Sequence, residues 1–90
     1  MTIARKLRVT GKVQGVFFRT WTQQQASQLN VCGWVRNCPD GSVEAHVEGE
    51  EKAIDELIER LMKGPSQASV DDVDVGAAEC ENSTGFQVRF

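Results

Sequence analysis

The chain has 90 residues, of which 40% are hydrophobic and 26% are charged, and its formal net charge is −3. This length supports one modest hydrophobic core, so we expect one domain over residues 1–90. No apolar run reaches the length of a membrane span, and no apolar leader precedes a small-residue cleavage site. We therefore expect a cytoplasmic protein with no membrane partner, and a monomer as the default for so small a domain.

The cysteines, Cys32, Cys38 and Cys80, are odd in number and irregularly spaced. Such a set does not form a disulfide framework, and with one histidine it does not suit zinc. We interpret all three as small hydrophobic residues rather than functional thiols. Whether any two of them pair is left open.

The charges are divided unevenly along the chain. Residues 1–39 carry six basic side chains and no carboxylate, whereas residues 40–90 carry four basic and thirteen acidic side chains, so +6 and −9 give the net −3. A half without carboxylates suggests that an anion is bound there. The alternative is that the two halves neutralise each other in the fold.

The first half alternates between strand and helix patterns. Leu7, Val9, Gly11 and Val13 alternate with polar residues and predict a strand. A helical stripe follows Gly15 and consists of Phe18, Thr22, Gln25, Ala26 and Leu29, with Trp21 at its edge. Asn30 is predicted to end this helix. Residues 31–36 and the alternating Val43, Ala45 and Val47 form two further predicted strands, joined at the turn signal Pro39-Asp40-Gly41.

The second half repeats the order of helix and strand. Ile54, Leu57, Ile58, Leu61 and Met62 follow helical spacing and predict a second helix that stops at Lys63-Gly64-Pro65. Val70, Val73 and Val75 predict a strand whose frame slips by one residue, which indicates a bulge or an early end. Residues 79–85 are predicted as loop, and Phe86, Val88 and Phe90 as a short last strand.

The resulting order is β-α-β-β-α-β with an extra terminal strand. This order is typical of an α+β, ferredoxin-like fold in which two helices cover one face of an antiparallel sheet. Many unrelated activities use this arrangement, so the function has to be argued from a site.

The segment that joins the first strand to the first helix is the most informative one. A loop that enters a helix presents unpaired backbone N–H groups, and the helix dipole favours an anion at the same place. Gly15 allows the backbone to bend, and Arg19 in the first helical turn offers a planar cationic fork to phosphate oxygens. Taken alone, this segment slightly favours ordinary strand-to-helix packing over an anion site.

A second candidate, Asn37, ends the second strand. Strand parity places Val35 and Asn37 on one face and Trp34, Arg36 and Cys38 on the other. Because Val35 is apolar, its face should be the one that the helices cover, and Asn37 should then point toward the start of the first helix. An asparagine before a turn is most simply a turn residue, so this direction is what favours a functional reading.

The residues of these two segments resemble the acylphosphatase family. Residues 11–19 match the pattern Gly-x-Val-Gln-Gly-Val-x-(Phe or Tyr)-Arg at every fixed position. A second family pattern is matched by Gly33, Trp34, Val35, Arg36, Asn37, Gly41, Val43 and Gly49. The resemblance covers nearly the whole chain. The family has a variable residue after the asparagine, which is Cys38 here, so an auxiliary hydroxyl contact at that position is in doubt.

The resemblance implies a site and a reaction. The backbone of Gln14, Gly15, Val16, Phe17, Phe18 and Arg19 would cradle a phosphoryl group, which Arg19 grips. Asn37 would position the attacking water. The implied substrate is a small-molecule acyl phosphate, with inorganic phosphate as product and sulfate as a mimic. No metal, other cofactor or phosphoenzyme is implied.

Four further residues are not predicted to take part in the reaction. His46 alternates outward on the third strand and is predicted to be a surface residue. Asp40 is predicted to be a turn residue. Cys38 flanks the site, which raises the hypothesis of oxidation sensitivity. Trp34 is predicted to point outward, either in an exposed patch or at a pocket rim.

The sequence leaves two alternatives to a stand-alone enzyme. One is a non-catalytic ferredoxin-like module that binds anions or nucleic acid through the basic half. The sequence pI near 5.0 and the lack of stacking aromatic residues among the outward strand positions argue against nucleic acid. The other is a carbamoyl-phosphate-handling accessory domain of a larger maturation protein, which the stand-alone length disfavours.

Overall fold

The computed structural model describes residues 1–90 and contains two helices on one face of a five-stranded sheet. The elements are β1 (Thr2–Lys12), α1 (Phe18–Gln28), β2 (Cys32–Asn37), β3 (Val43–Glu50), α2 (Glu51–Lys63), β4 (Ser69–Ala78) and β5 (Phe86–Arg89). This order and the helix placement confirm the ferredoxin-like prediction. Neither helix has the length and apolarity that crossing a bilayer requires.

The sheet has the strand order β4-β1-β3-β2-β5. Three of its four pairings are antiparallel, but β5 runs parallel to β2, so the expected all-antiparallel sheet is a mixed one. The reason is the route of residues 79–85, which carry the chain from one sheet edge to the other. Gly33 N–H donates to the Gly85 carbonyl at 3.0 Å, so β5 begins beside the beginning of β2.

The core lies between the sheet and the two helices. Its sheet side is built by alternate residues of the strands, and its helix side by the stripes of α1 and α2, with Phe18, Ile54, Leu57 and Leu61 almost fully buried. Met62, predicted to belong to the α2 stripe, is instead 49% exposed. Five successive stripe positions span more of the helix circumference than a flat sheet can cover, and Met62 lies beyond the covered arc.

The strand pairing explains one predicted irregularity of the backbone, the frame slip in β4, and one glycine that the sequence analysis did not interpret structurally. The register between β1 and β4 shifts between Thr10 and Gly11, which leaves Asp71 as the extra residue of a bulge. Gly33 allows β2 and β3 to approach closely, because a Cβ at this position would lie 1.8 Å from the His46 carbonyl oxygen.

The topology brings one set of chain segments to the same end of the sheet. β1, β2 and β5 run in the same direction, so Lys12, Asn37 and Arg89 finish at one edge. The chain leaves β1 there and enters α1 within a few residues. Any ligand at the start of α1 therefore meets the ends of β2 and β5.

Candidate active site

A cleft of about 270 Å³ opens at that end of the sheet. Its lining residues are Val13, Gly15, Phe17, Phe18, Arg19, Thr20, Asn37, Val88 and Phe90. The structure thus brings Arg19 and Asn37, which are 18 positions apart in the sequence, into one hollow. It also adds Val88 of β5 and Phe90, which follows β5; neither residue was predicted to belong to the site.

The loop before α1 exposes a run of backbone donors. The N–H groups of Gly15, Val16 and Phe17 donate to no backbone carbonyl of the protein, and the first N–H groups of α1 have no intrahelical acceptor. Gly15 has φ +74° and Phe17 has φ +60°, and this alternation with left-handed residues is what curves the backbone. The first turn of α1 contains no acidic residue that would compete with an anion.

Glycine at position 15 serves the backbone rather than the packing. A Cβ on Gly15 would meet no protein atom within 4 Å, so space does not exclude a side chain. The positive φ of Gly15 disfavours a side chain, because residues with a Cβ are sterically strained in the left-handed region. A side chain here would also project into the open hollow in front of the unpaired N–H groups.

Arg19 is the cation of the cleft. Its Nη1 donates to the Arg89 carbonyl oxygen at 2.7 Å, and its guanidinium lies 4.6 Å from the centre of the Phe90 ring. These two contacts fix the plane of the guanidinium and use one of its five donors. The remaining donors are available to a ligand, and their planar arrangement matches two oxygens of a phosphoryl group.

Four of the other five basic side chains of the first half have carboxylate partners, and the fifth, Lys12, lies outside the cleft lining. Arg5, Lys6, Arg8 and Arg36 each lie within 4.0 Å of a carboxylate, whereas Arg19 pairs with none. Most of the charge asymmetry is therefore neutralised within the fold, as the alternative interpretation proposed. What remains unneutralised at the cleft is Arg19.

Asn37 contributes an unsatisfied polar atom. It ends β2, pairs with Val43 in the sheet, and lies on the helix-covered face with Val35. Its side-chain Oδ1 is buried and has no hydrogen-bond partner. A buried carbonyl oxygen without a partner costs roughly 1–3 kcal/mol, so such groups are rare unless a ligand or water completes them.

Gln14 holds the two halves of the site together. Its side-chain Nε2 donates to the carbonyl oxygens of Cys38, at 2.8 Å, and Ser42, at 2.9 Å. The loop that carries the unpaired N–H groups is thereby tied to the turn that follows Asn37. The sequence analysis expected only backbone participation from Gln14. In the sequence, the only sign of this bracing role is a glutamine, Gln14, directly before Gly15.

Four of the six residues predicted to cradle phosphate line the cleft. Gly15, Phe17, Phe18 and Arg19 line the cleft, whereas Gln14 and Val16 do not. The Val16 side chain packs against the hydrophobic core. The physical reason is that alternate residues of a tight loop point in different directions, so an apolar side chain can anchor the loop while its neighbours face the ligand.

The turn after Asn37 is built by Asp40, as predicted. Asp40 Oδ1 accepts hydrogen bonds from the Ser42 hydroxyl at 2.6 Å and from the Ser42 N–H at 2.9 Å. These bonds, with the nearby Arg8 guanidinium, lower the pKa of Asp40 below its ordinary value of 3.8. Cys38 is buried beside this turn, and all three cysteines are unpaired.

His46 was predicted to lie on the surface, and this prediction is wrong. It points to the outer face of the sheet but is only 5% exposed, because Trp34 stacks on its ring and residues 79–85 cover it. Its Nε2 lies 2.6 Å from Glu48 Oε2. Strand parity gave the correct face, but it could not show that a distant loop folds over that face.

Glu48 fastens this loop to the sheet. Its Oε2 accepts hydrogen bonds from the Glu81 N–H at 2.7 Å and the Ser83 hydroxyl at 3.0 Å, in addition to its contact with His46. Burial raises the pKa of Glu48, but its bonds with Glu81, His46 and Ser83 outweigh this and hold the pKa below its ordinary value of 4.5.

Potential metal ligands cluster in the same place. Side-chain atoms of His46, Glu48 and Glu81 lie within 4.8 Å of one another. However, Glu48 Oε2 already has three protein partners, and Glu81 accepts a hydrogen bond from Trp34 Nε1 at 3.3 Å. We therefore interpret the cluster as a structural latch for residues 79–85. Trp34 belongs to this latch and not to the rim of the cleft.

Comparisons with known proteins agree with the geometry. Residues 5–88 match the family model described as Acylphosphatase. An acylphosphatase of Rhizobium etli is 51% identical over 88% of this chain and 84% of its own length, and one of Methanothrix thermoacetophila is 43% identical over the full length of both. The solved structure of an acylphosphatase from Coxiella burnetii superposes with a TM-score of 0.94 at 40% identity, and it covers 98% of this chain and 93% of that one. The chain belongs to the acylphosphatase family.

Proposed function

We propose that this chain hydrolyses acyl phosphates to a carboxylate and inorganic phosphate, with Arg19 and Asn37 as its catalytic residues. The observation that carries the proposal is the buried, unpaired Oδ1 of Asn37 in the same cleft as Arg19, a cation without a carboxylate partner. Family membership supplies the class of reaction. The proposed functional unit is residues 1–90.

The phosphoryl group binds at the start of α1. Its oxygens accept hydrogen bonds from the unpaired backbone N–H groups at Gly15 to Arg19 and from the free donors of the Arg19 guanidinium. The transition state of phosphoryl transfer is loose, with its charge spread over the equatorial oxygens. Donors fixed around those oxygens before the reaction stabilise that charge without reorganising.

A water molecule held by Asn37 attacks phosphorus in line with the leaving group. The Asn37 carbonyl oxygen accepts a hydrogen bond from this water, which satisfies the buried Oδ1. The new bond joins the water oxygen to phosphorus, and the bond from phosphorus to the acyl oxygen breaks with its electron pair on the carboxylate. The protons of the water pass to phosphoryl oxygens and then to solvent, since a neutral amide is not a base near pH 7.

The leaving group explains why so few side chains suffice. A carboxylate is a weak base, with a pKa of about 4, so it departs without a general acid. The cleft lining contains no histidine, aspartate or glutamate side chain that could act as a general acid for a more basic alkoxide. We therefore expect reactive anhydrides to be hydrolysed well and phosphate monoesters poorly.

The proposal is tested by measuring hydrolysis of benzoyl phosphate by the purified chain, with and without a chelator. We expect turnover that survives chelation and is strongly reduced in Arg19→Ala and Asn37→Ala. Matched controls are Arg5→Ala, which removes a surface guanidinium, and Asn82→Gly, which removes an exposed amide while suiting its φ of +55°. Circular dichroism establishes that every variant is folded.

Two results would overturn the proposal. A folded wild-type protein that hydrolyses no acyl phosphate would favour an anion-binding module instead. Equal losses in the controls and in the two cleft variants would show that the assay reports general damage rather than a site.

A further inference from the structure

The depth of Asn37 sets the direction in which a substrate lies. Asn37 lines the cleft with a buried Oδ1, whereas Phe17 and Phe90 of the same lining are exposed, so we place a water bound to Asn37 on the inner side of phosphorus. In an in-line displacement the entering and leaving oxygens lie on opposite sides of phosphorus. The acyl group must therefore extend outward, toward the mouth of the cleft.

The mouth of the cleft carries two exposed phenyl rings. Phe17 and Phe90 both line the cleft, and their residues are 80% and 103% exposed. They belong to different segments, the loop before α1 and the residue that follows β5, so two separate parts of the chain bring them to the cleft. Their rings contribute little to the packing of the core, where Phe18 and Phe86 are the buried aromatic residues.

Phe17 has a backbone conformation that is energetically unfavourable for a phenylalanine. It has φ +60° and ψ +26°, a left-handed conformation that bulky side chains rarely adopt, and its ring is left in solvent. Asparagine or glycine would suit this backbone better. The family pattern leaves position 17 unspecified, so the ring belongs to this chain rather than to the pattern. A large exposed ring at the rim of a cleft is typical of a ligand contact.

The mouth offers nothing to a charged acyl group. The lining contains no acidic side chain, and its one cationic side chain, Arg19, is assigned to the phosphoryl group in the proposed function. Five of the nine lining residues are apolar. A polar or ionised acyl group would lose water there without gaining a partner, whereas an apolar one would cover Phe17 and Phe90.

We propose that Phe17 and Phe90 form a subsite for the acyl group and that this chain prefers acyl phosphates whose acyl group is aromatic or similarly bulky and apolar. This inference rests on the proposed function and specifies its substrate class. The class of reaction that supplies such a substrate is phosphorylation of an apolar carboxylic acid.

The test compares kcat/KM for benzoyl phosphate with kcat/KM for acetyl phosphate. Phe17→Asn removes the ring and suits the left-handed backbone, and Phe17→Leu keeps an apolar side chain. We expect the benzoyl-to-acetyl ratio to fall by about fivefold to tenfold in Phe17→Asn, as loss of an aromatic contact requires, and by less in Phe17→Leu. Met62→Ala, which removes an exposed apolar side chain elsewhere, is the control and leaves the ratio as in the wild type.

The ratio separates the subsite from other effects. Benzoate and acetate differ in leaving ability, but this difference cancels when variant and wild type are compared. Because the ring binds ground state and transition state alike, the loss for benzoyl phosphate appears mainly as a higher KM. Phe90→Ala is judged by the same ratio. Because the Phe90 ring also stacks on Arg19, we expect this variant to turn over both substrates more slowly, and only the ratio then reports the contact with the acyl group.

Each outcome bears on a different proposal. An unchanged ratio in Phe17→Asn and Phe90→Ala, with both substrates still hydrolysed, would overturn the subsite alone. An equal fall in Phe17→Leu and Phe17→Asn would also contradict it, because apolar contact would then not matter. Absence of turnover with both substrates in the folded wild type would overturn the proposed function and the subsite together.

Discussion

The cleft and the outer face of the sheet treat polar groups in opposite ways. On the outer face, Glu44 is bonded to Arg8 and Arg36, and Glu48 has three partners. At the cleft, the Asn37 carbonyl and the loop N–H groups have no partner. Both regions lie in the same small domain, and the outer face shows that this chain can pair its buried polar groups within the fold. The Thr22 hydroxyl is also buried without a partner, but it stands alone and does not line the cleft. Several unpaired polar groups at one cleft are therefore better evidence of a binding site than the paired, buried charges of the outer face.

The strongest challenge to this comparison is Arg19→Ala. We expect kcat/KM for benzoyl phosphate to fall roughly a hundredfold to a thousandfold, since removing one preorganised donor of an anion costs about 3–4 kcal/mol. The free energy of unfolding should change by no more than about 1 kcal/mol, because the protein loses one partly exposed hydrogen bond. Urea denaturation measures the second quantity. Arg19→Lys, which keeps the charge without the planar fork, should recover only a small part of the activity.

Asn37→Ala tests the unpaired atom directly. We expect kcat to fall by about a hundredfold, as misplacement of the reacting water would cause. The free energy of unfolding should stay the same or rise by up to about 1 kcal/mol, because a buried carbonyl without a partner disappears. A large destabilisation would show that the side chain is a structural group, contrary to our interpretation.

Glu48→Ala is the corresponding test on the outer face. It leaves the donors of Glu81 and Ser83 without an acceptor, so we expect the free energy of unfolding to fall by about 2 kcal/mol. Activity should fall far less than in the cleft variants. Glu79→Ala, at an exposed residue of the same segment that makes no hydrogen bond to Glu48, is the matched control and should alter stability little. Equal changes in the free energy of unfolding for the two variants would show that Glu48 does not fasten residues 79–85 to the sheet.

The smallest expected effect is the pH dependence of the latch. The pKa of Glu48 is lowered in the folded state, so its ionised form contributes stability that is present above its unfolded pKa, near 4.5, and is lost as the pH falls through the folded value. Thermal unfolding between pH 6 and pH 3 should show this loss. In Glu48→Gln the decline over the same range should be shallower, and a parallel decline would contradict the assignment.

Much of the fold could be predicted because its signals are local. The alternation of Leu7, Val9 and Val13 and the helical spacing of Ile54, Leu57 and Leu61 each reflect one face of one element. The frame slip near Val70 indicated a bulge, and the structure has one. By contrast, the parallel pairing of β5 depends on the route of residues 79–85, which no local pattern records.

The candidate site was predicted in part. Arg19 and Asn37 were identified from the family pattern and from strand parity, and the structure places both at one cleft. The Gln14 brace, the Phe90 ring and the Arg89 carbonyl were missed. The bond from Arg19 to Arg89 joins residues 70 positions apart, and a backbone carbonyl leaves no signature in a sequence.

The sequence alone determined which elements form, which faces they bury and which motif they carry, since these follow from side-chain periodicity and from the conformations that glycine permits. The tertiary structure decided which groups find partners. His46 and Asn37 are both polar residues at strand positions, yet a loop and Glu48 satisfy His46, whereas Asn37 Oδ1 is buried at a cleft without a bond. The reason is that pairing depends on what packs against a residue from distant parts of the chain, and only the folded chain supplies that.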